Sequence, residues 1–238
     1  MSRLIVPSGK VTGCNFRKTK YGDCCALLSD VLEIIPRDKW AGLIGQVNLR
    51  PFVGQILDQG DVGSCATEST SQGAMIVRAI EGKHFVLLNP WSIYRITSGG
   101  RDNGSSIDEN LQFARDYGIL PESYWPRSKG WWATPPADWK AVAADYRIDE
   151  FFDIGTALEF GTSLLRGFPV VFGWQGHSVI ATRLLSATTF EYANSWSPKW
   201  GDEGFGVLDL DEVNWGYGAF AAKTMTHATP DPDLPKGL

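Results

Sequence analysis

The stretch Asp58-Gln59-Gly60-Asp61-Val62-Gly63-Ser64-Cys65 carries the strongest signal for fold and chemistry in this chain. It is a glycine-rich turn that leads into a predicted helix from about Cys65 to Glu81. A thiol at a helix N-terminus meets the helix dipole and unpaired backbone N–H groups, which favour its thiolate. The same N–H groups can hold an oxyanion, and Gln59 can add a side-chain amide donor. We therefore predict a nucleophilic Cys65, more acidic and more readily alkylated than the other cysteines, with Gln59 in an oxyanion hole.

A nucleophilic thiol also needs a base, and the chain contains three histidines. His177 stands at the start of a predicted strand, and Asn194 and Trp196 follow it after 17 and 19 residues. A side-chain amide can orient an imidazole ring, and an indole can keep water off their hydrogen bond. His84 and His227 have no such partner, so we interpret both as structural. His177 is the predicted general base.

Together these residues resemble the papain-like cysteine proteases, in a short bacterial- or phage-type form. The resemblance covers residues 47–226, and its motifs occur in the family's order. It implies a Cys–His–Asn triad with an oxyanion-hole glutamine and a shielding tryptophan. In this chain those residues are Cys65, His177, Asn194, Gln59 and Trp196.

The same resemblance extends to a possible substrate-binding wall. The segment Asn103-Gly104-Ser105-Ser106 resembles the family's glycine-rich wall, whose backbone holds an extended substrate by strand-like hydrogen bonds. Gly104, Ser105 and Trp196 are therefore the predicted substrate-binding residues.

Two departures from the family pattern concern redox state and specificity. Val62 occupies the position where many members carry a disulfide-forming cysteine, which fits a reducing compartment. Cys65 and His177 are 112 positions apart, fewer than the roughly 130–150 of papain and the cathepsins. The shortening falls between Pro169 and His177, so we expect a reduced specificity pocket on that side of the cleft.

The order of predicted elements indicates an α+β fold with two lobes. Residues 64–165 favour helices, whereas residues 169–226 are rich in β-branched and aromatic residues with glycine punctuation and favour strands. Further helices are predicted from a capping box at Ser106 to Tyr117, and from Thr156 to Arg166. Strands are predicted at Val170–Gly173, Ser178–Leu184, Thr188–Ala193, Phe205–Leu210 and Ala219–Met225. The helical lobe is expected to carry Cys65, and the antiparallel β-rich lobe His177, with the active site in the cleft between them.

Local amino-acid composition divides the chain into residues 1–46, 47–226 and 227–238. We interpret residues 1–46 as an N-terminal extension or short pro-segment, residues 47–226 as the peptidase domain and residues 227–238 as a tail. A short helix is predicted at Cys25–Ile35, and it must bury its apolar face on something. Packing on the outside of a lobe is the favoured hypothesis. Occlusion of the cleft by residues 10–40 is the alternative.

Composition excludes several classes of function. With 22 basic and 27 acidic residues the net charge is −5, which argues against nucleic acid as a partner. No apolar run approaches the length of a membrane span, and no signal peptide precedes the domain, so a cytoplasmic or virion-associated protein is expected. Cys14, Cys24 and Cys25 could suggest zinc, but adjacent cysteines without a nearby histidine are a poor ligand set, and no metal is predicted.

The sequence thus predicts a cysteine endopeptidase that hydrolyses protein or peptide substrates through a thioester and needs no cofactor. Two alternatives stay open. The same chemistry could act on cell-wall peptides, or a papain-like scaffold could serve as a structural component of a larger assembly, such as a phage particle.

Overall fold

A computed structural model describes residues 6–223, and its largest element is a six-stranded antiparallel sheet. The strands are β1 (Cys14–Asn15), β2 (Ser105–Ser106), β3 (Glu150–Asp153), β4 (Val170–Trp174), β5 (His177–Leu184), β6 (Thr189–Ala193), β7 (Phe205–Asp209) and β8 (Ala219–Lys223). The large sheet has the order β3-β8-β4-β5-β6-β7, whereas β1 and β2 form a separate parallel pair. The predicted α+β class is confirmed.

Helices surround this sheet and form most of the other lobe. They are α1 (Leu28–Val31), α2 (Cys65–Ile80), α3 (Trp91–Thr97), α4 (Ile107–Asp116), α5 (Trp139–Ala143) and α6 (Ala157–Leu165). None of the helices within residues 6–223 combines the length and apolar character needed to cross a bilayer. The expected cellular location stays a prediction.

Two apolar clusters lie on opposite faces of the sheet, because successive strand residues point to opposite sides. In β4, Val171 packs in the cluster beneath α2, whereas Val170 and Phe172 pack in the cluster that contains Phe160 of α6. The sheet is therefore covered on both faces. This double cover explains why its strands are nearly continuous runs of buried residues.

Most predicted elements are present, with differences at their ends. The five predicted strands correspond to β4 to β8, but the predicted helical region 64–165 also contains strand β3. The helix predicted at Cys25–Ile35 is shorter, because only Leu28–Val31 is helical and the chain then runs extended from Leu32. The predicted capping box at Ser106 is wrong in detail. Its hydroxyl donates to the Glu109 carboxylate at 3.1 Å and caps no backbone N–H.

The second half of the N-terminal region belongs to the core of the β-rich lobe. Leu28 and Trp40 are fully buried, and the Trp40 indole donates to the Ile35 carbonyl oxygen at 3.0 Å. A Cβ at Gly161 of α6 would lie 2.1 Å from the Trp40 ring, so only glycine allows this approach. The predicted boundary at residue 46 stays a prediction, and the predicted tail 227–238 lies outside the described residues.

This packing gives a stability prediction for the N-terminal region. Trp40→Ala removes a fully buried indole and should lower the free energy of unfolding by about 3–5 kcal/mol in chemical denaturation. Trp132 is 65% exposed, so Trp132→Ala is the matched control and should change the free energy of unfolding by less than about 1 kcal/mol. Equal effects of the two substitutions would contradict this account of residues 28–44.

Candidate active site

The thiol of Cys65 lies at the first residue of α2 and is fully buried. Its Sγ accepts a hydrogen bond from the backbone N–H of Gly13 at 3.2 Å. Burial raises the pKa of Cys65 to about 11, although backbone hydrogen bonds from Gly13 and Ser178 act in the opposite direction. The predicted acidic thiol is therefore wrong for this conformation, because desolvation outweighs the helix N-terminus.

His177, at the start of β5, is held by Asn194 and Trp196. His177 Nε2 lies 2.7 Å from Asn194 Oδ1, and the Trp196 ring stacks on the imidazole at 4.5 Å between centroids. Asn194 Oδ1 also accepts from the Ser195 N–H at 2.8 Å, which fixes the orientation of the amide. Nε2 must then carry the proton, and Nδ1 is the basic nitrogen. Nδ1 has no hydrogen-bond partner within the described residues.

Gln59 lies beside Cys65 with its side chain fully hydrogen-bonded. Its Nε2 donates to the carbonyl oxygens of Val11 at 3.0 Å and Val62 at 2.9 Å. Its Oε1 accepts from the Ser195 hydroxyl at 2.7 Å, which joins Gln59 to the loop that carries Asn194. The amide thus points at a backbone carbonyl oxygen, the kind of group that becomes an oxyanion in acyl transfer.

The predicted wall at Gly104 and Ser105 forms the other side of the cleft. Gly104 has a φ of +84°, and a Cβ there would lie 2.4 Å from the Gly13 carbonyl oxygen. The Ser105 N–H donates to that oxygen at 3.0 Å. Asp102 accepts from the N–H of Gly63 at 2.8 Å and from the Tyr94 hydroxyl, so the wall is tied to the turn that precedes Cys65.

Residues 10–19, which we call the strap, cross this cleft in extended form. Strand β1 of the strap pairs in parallel with β2, and the Cys14 N–H donates to the Gly176 carbonyl oxygen at 2.9 Å. Gly13 contacts the Gly63 turn so closely that a Cβ would lie 2.0 Å from the Gly63 oxygen. The strap therefore covers both Cys65 and the entry to β5. The favoured hypothesis, packing on the outside of a lobe, does not describe the strap, and residues 28–44 contribute fully buried side chains to the core of the β-rich lobe.

The strap contacts both predicted site residues through its backbone. The Cys65 Sγ accepts from the Gly13 N–H, and Gln59 Nε2 donates to the Val11 carbonyl oxygen. Residues 11–13 therefore occupy the hydrogen-bonding groups of Cys65 and Gln59 in this structure.

Buried carboxylates anchor the far end of the strap. The Arg17 guanidinium forms a two-pronged ion pair with Asp153, at 3.0 and 2.6 Å. Asp108, which is fully buried, accepts from the backbone N–H groups of Lys18 and Thr19 at 2.9 and 2.8 Å. Two-pronged and charge-assisted hydrogen bonds are the stronger kinds, so this end is the firm attachment.

Burial keeps both Cys65 and His177 uncharged in this structure. Burial lowers the pKa of His177 to about 4, even though the hydrogen bond to Asn194 acts in the opposite direction. With the pKa of Cys65 at about 11, both groups are uncharged at neutral pH.

One buried carboxylate beside the site has no signal in the sequence. Glu68, one helical turn after Cys65, is fully buried, and burial raises the pKa of its carboxyl to about 7. Its carboxylate accepts from the Ser64 hydroxyl at 3.0 Å and lies 3.5 Å from Arg127. Only the long-range fold brings Arg127 to this helix.

Comparison with known proteins places this geometry in a recognised fold. A scan against protein-family profiles and a comparison with curated proteins found no match. Among solved structures, xylellain, a cysteine protease from Xylella fastidiosa, is similar with a TM-score of 0.73 and 18% identity over 94% of this chain and 100% of that chain. Digestive procathepsin L 3 of Tenebrio molitor larval midgut gives 0.64 and 16%, over 85% and 77%. Procathepsin B S9 from Trypanosoma congolense gives 0.61 and 16%, over 91% and 87%. The chain has the papain-like fold that was predicted.

Because Cys65 is buried beneath the strap, we expect another cysteine to be alkylated before it. A hydrogen bond from Cys25 lowers the pKa of the half-buried Cys24 to about 7. Brief treatment of the intact chain with iodoacetamide at neutral pH should therefore modify Cys24 before Cys65, as read by peptide mass spectrometry.

The substitution Gly13→Ala tests the cause of this order, because its Cβ would collide with the Gly63 oxygen and displace the strap. It should raise the alkylation rate of Cys65 at least about tenfold and leave that of Cys24 unchanged. Gly42→Ala, at a position with open space around it, is the control. Cys65 as the first modified residue in the intact chain would contradict the covered site.

Proposed function

We propose that this protein is a papain-like thiol endopeptidase that cleaves extended polypeptide substrates. The observation that carries the proposal is the strap itself. Residues 11–15 lie extended across Cys65, with backbone hydrogen bonds to Ser105, Gly176 and Gln59. The cleft therefore has the donors and acceptors that an extended peptide needs. The solved structures with this fold named above are cysteine proteases, which supports the same class.

The residues support a two-step acyl transfer. In the open enzyme the Cys65 thiol passes its proton to His177 Nδ1 and its sulfur attacks the substrate carbonyl carbon. The oxyanion accepts hydrogen bonds from Gln59 and the backbone at the start of α2. The imidazolium then protonates the leaving amine, which departs and leaves a thioester on Cys65. Water, deprotonated by His177, hydrolyses the thioester and restores the thiol.

The same contacts support a latent enzyme that the strap keeps closed. The strap covers the Cys65 thiol, occupies Gln59 and contacts Gly176, the residue before His177. These contacts end when the strap leaves. The N-terminal region thus acts in two parts, with residues 10–19 as the inhibitory strap and residues 28–44 as part of the core.

Substitutions at the site should lower hydrolysis of a peptide library to different extents. Cys65→Ala should abolish it and His177→Ala should remove nearly all of it, because both groups take part in bond-making. Asn194→Ala should leave a measurable remainder, since Asn194 only orients the ring. Gln59→Ala should cost on the order of 10²–10³ in turnover.

These rates are best compared with the strap displaced by Gly13→Ala, which should itself raise turnover at least about tenfold over the intact chain. Gly42→Ala should leave turnover unchanged. Equal rates for Gly13→Ala and the intact chain would contradict latency. Turnover of isolated cell-wall peptides without turnover of unfolded proteins would replace the endopeptidase with the amidase alternative. Alkylation of Cys65 without any hydrolysis would favour a structural scaffold.

Acid should promote release of the strap. Buried His177 takes up its proton only below about pH 4, whereas an exposed imidazole does so near pH 6.5. The open state therefore binds more protons between these values, and the closed state loses stability as pH falls through that window. Hydrogen exchange of residues 9–17, corrected for intrinsic rates, should be faster at about pH 4.5 than at about pH 7. His177→Gln should reduce this difference, and an unchanged pH dependence would assign it to other groups.

A further inference from the structure

Beyond the active site, two thiols and a carboxylate converge where β3 ends. The thiols of Cys24 and Cys25 are half-buried, and their sulfur atoms lie 3.6 Å apart. One ligand atom from each of Cys24, Cys25 and Asp153 can be chosen so that all three lie within 4.8 Å of one another. Within the described residues, this is the one group of three such side chains that could hold a metal ion.

The fold explains why a residue 128 positions away joins the two cysteines. The Asp153 N–H donates to the Ala26 carbonyl oxygen at 2.9 Å, and the Gly22 N–H donates to the Asp153 carboxylate at 2.8 Å. Residues 22–26 therefore wrap around the end of β3. In the sequence the adjacent cysteines lack a third ligand nearby, and the long-range packing supplies it.

The geometry of the sulfur pair matches that of two thiolates on one tetrahedral ion. Zn–S bonds of about 2.3 Å at the tetrahedral angle separate two sulfurs by about 3.8 Å, close to the observed 3.6 Å. Thiolates favour thiophilic cations over magnesium or calcium, and a carboxylate oxygen is an accepted third zinc ligand. We propose that Cys24, Cys25 and Asp153 bind a thiophilic divalent cation such as Zn²⁺, with water as the fourth ligand.

Binding at this site competes with the anchor of the strap. Both carboxylate oxygens of Asp153 accept hydrogen bonds from the Arg17 guanidinium. A cation that takes an Asp153 oxygen removes one of the acceptors of the guanidinium. The two thiols release their protons to solvent on binding, so the two charges of the cation are balanced by two thiolates and the net charge of the site does not change. The proposed metal binding does not depend on the proposed peptidase function. Only an effect of the bound metal on peptidase activity, through the strap, rests on that function.

The site can be tested by titration of the full chain with Cd²⁺, a spectroscopic substitute for Zn²⁺. The Cys65→Ala background removes the other reactive thiol that could bind metal beside His177. One equivalent of Cd²⁺ should produce the ultraviolet thiolate-to-metal absorption band, and Zn²⁺ should displace it. Cys24→Ser and Cys25→Ser should each weaken binding at least about tenfold, whereas Cys14→Ser, the matched control, should leave it unchanged.

Two further variants separate ligation by Asp153 from an effect on folding. Asp153→Asn should weaken Cd²⁺ binding at least about tenfold, and Arg17→Gln should strengthen it, because the competing guanidinium is removed. Folding is checked by circular dichroism, and Arg17→Gln stays informative if Asp153→Asn does not fold. An absorption band that survives the double substitution of Cys24 and Cys25 would overturn the site. So would Arg17→Gln binding that is weaker than that of the parent chain.

Discussion

The burial of α2 against the sheet is the contact on which the rest of this molecule depends. All residues from Cys65 to Val77 are buried. At Gly73 a Cβ would lie 3.2 Å from the side chain of Ile180 in β5, so this side chain packs directly against the helix backbone. Because His177 begins that same strand, the packing fixes the thiol on one lobe and the imidazole on the other in a common frame. Close packing of this kind leaves little room for adjustment.

The chemistry of the site is set by water as much as by its side chains. Burial raises the pKa of Cys65 and lowers that of His177, so both groups are uncharged in this structure. A helix N-terminus alone does not make an acidic thiol here, since desolvation exceeds the stabilisation by backbone N–H groups. The charge state of these two side chains therefore depends on how much solvent reaches them.

Features of this fold that short sequence patterns encode are predicted well, whereas features that depend on long-range contacts are not. The turn before Cys65, the β-branched and aromatic residues of β4 to β8 and the short step from Asn194 to Trp196 are encoded within a few residues, so the fold class follows from them. Strand β3 is not encoded locally, because it is a short edge strand that depends on pairing with β8. The strap is also invisible locally. Position 13 requires glycine because the Gly63 turn lies against it, and nothing near either residue in the sequence indicates that contact.

The division of the N-terminal region into an anchored part and a covering part has a kinetic consequence. Trp40 and Leu28 lie in the core of the β-rich lobe, so the adjoining residues 10–19 are covalently tethered close to the site that they cover. Tethering gives the strap an effective concentration near the cleft in the millimolar range for a short linker. Dilution of the protein cannot weaken such an intramolecular contact. Under the proposed latency, a substrate has to outcompete this local ligand, and lasting activity then calls for an irreversible event, such as a cut between the strap and Leu28.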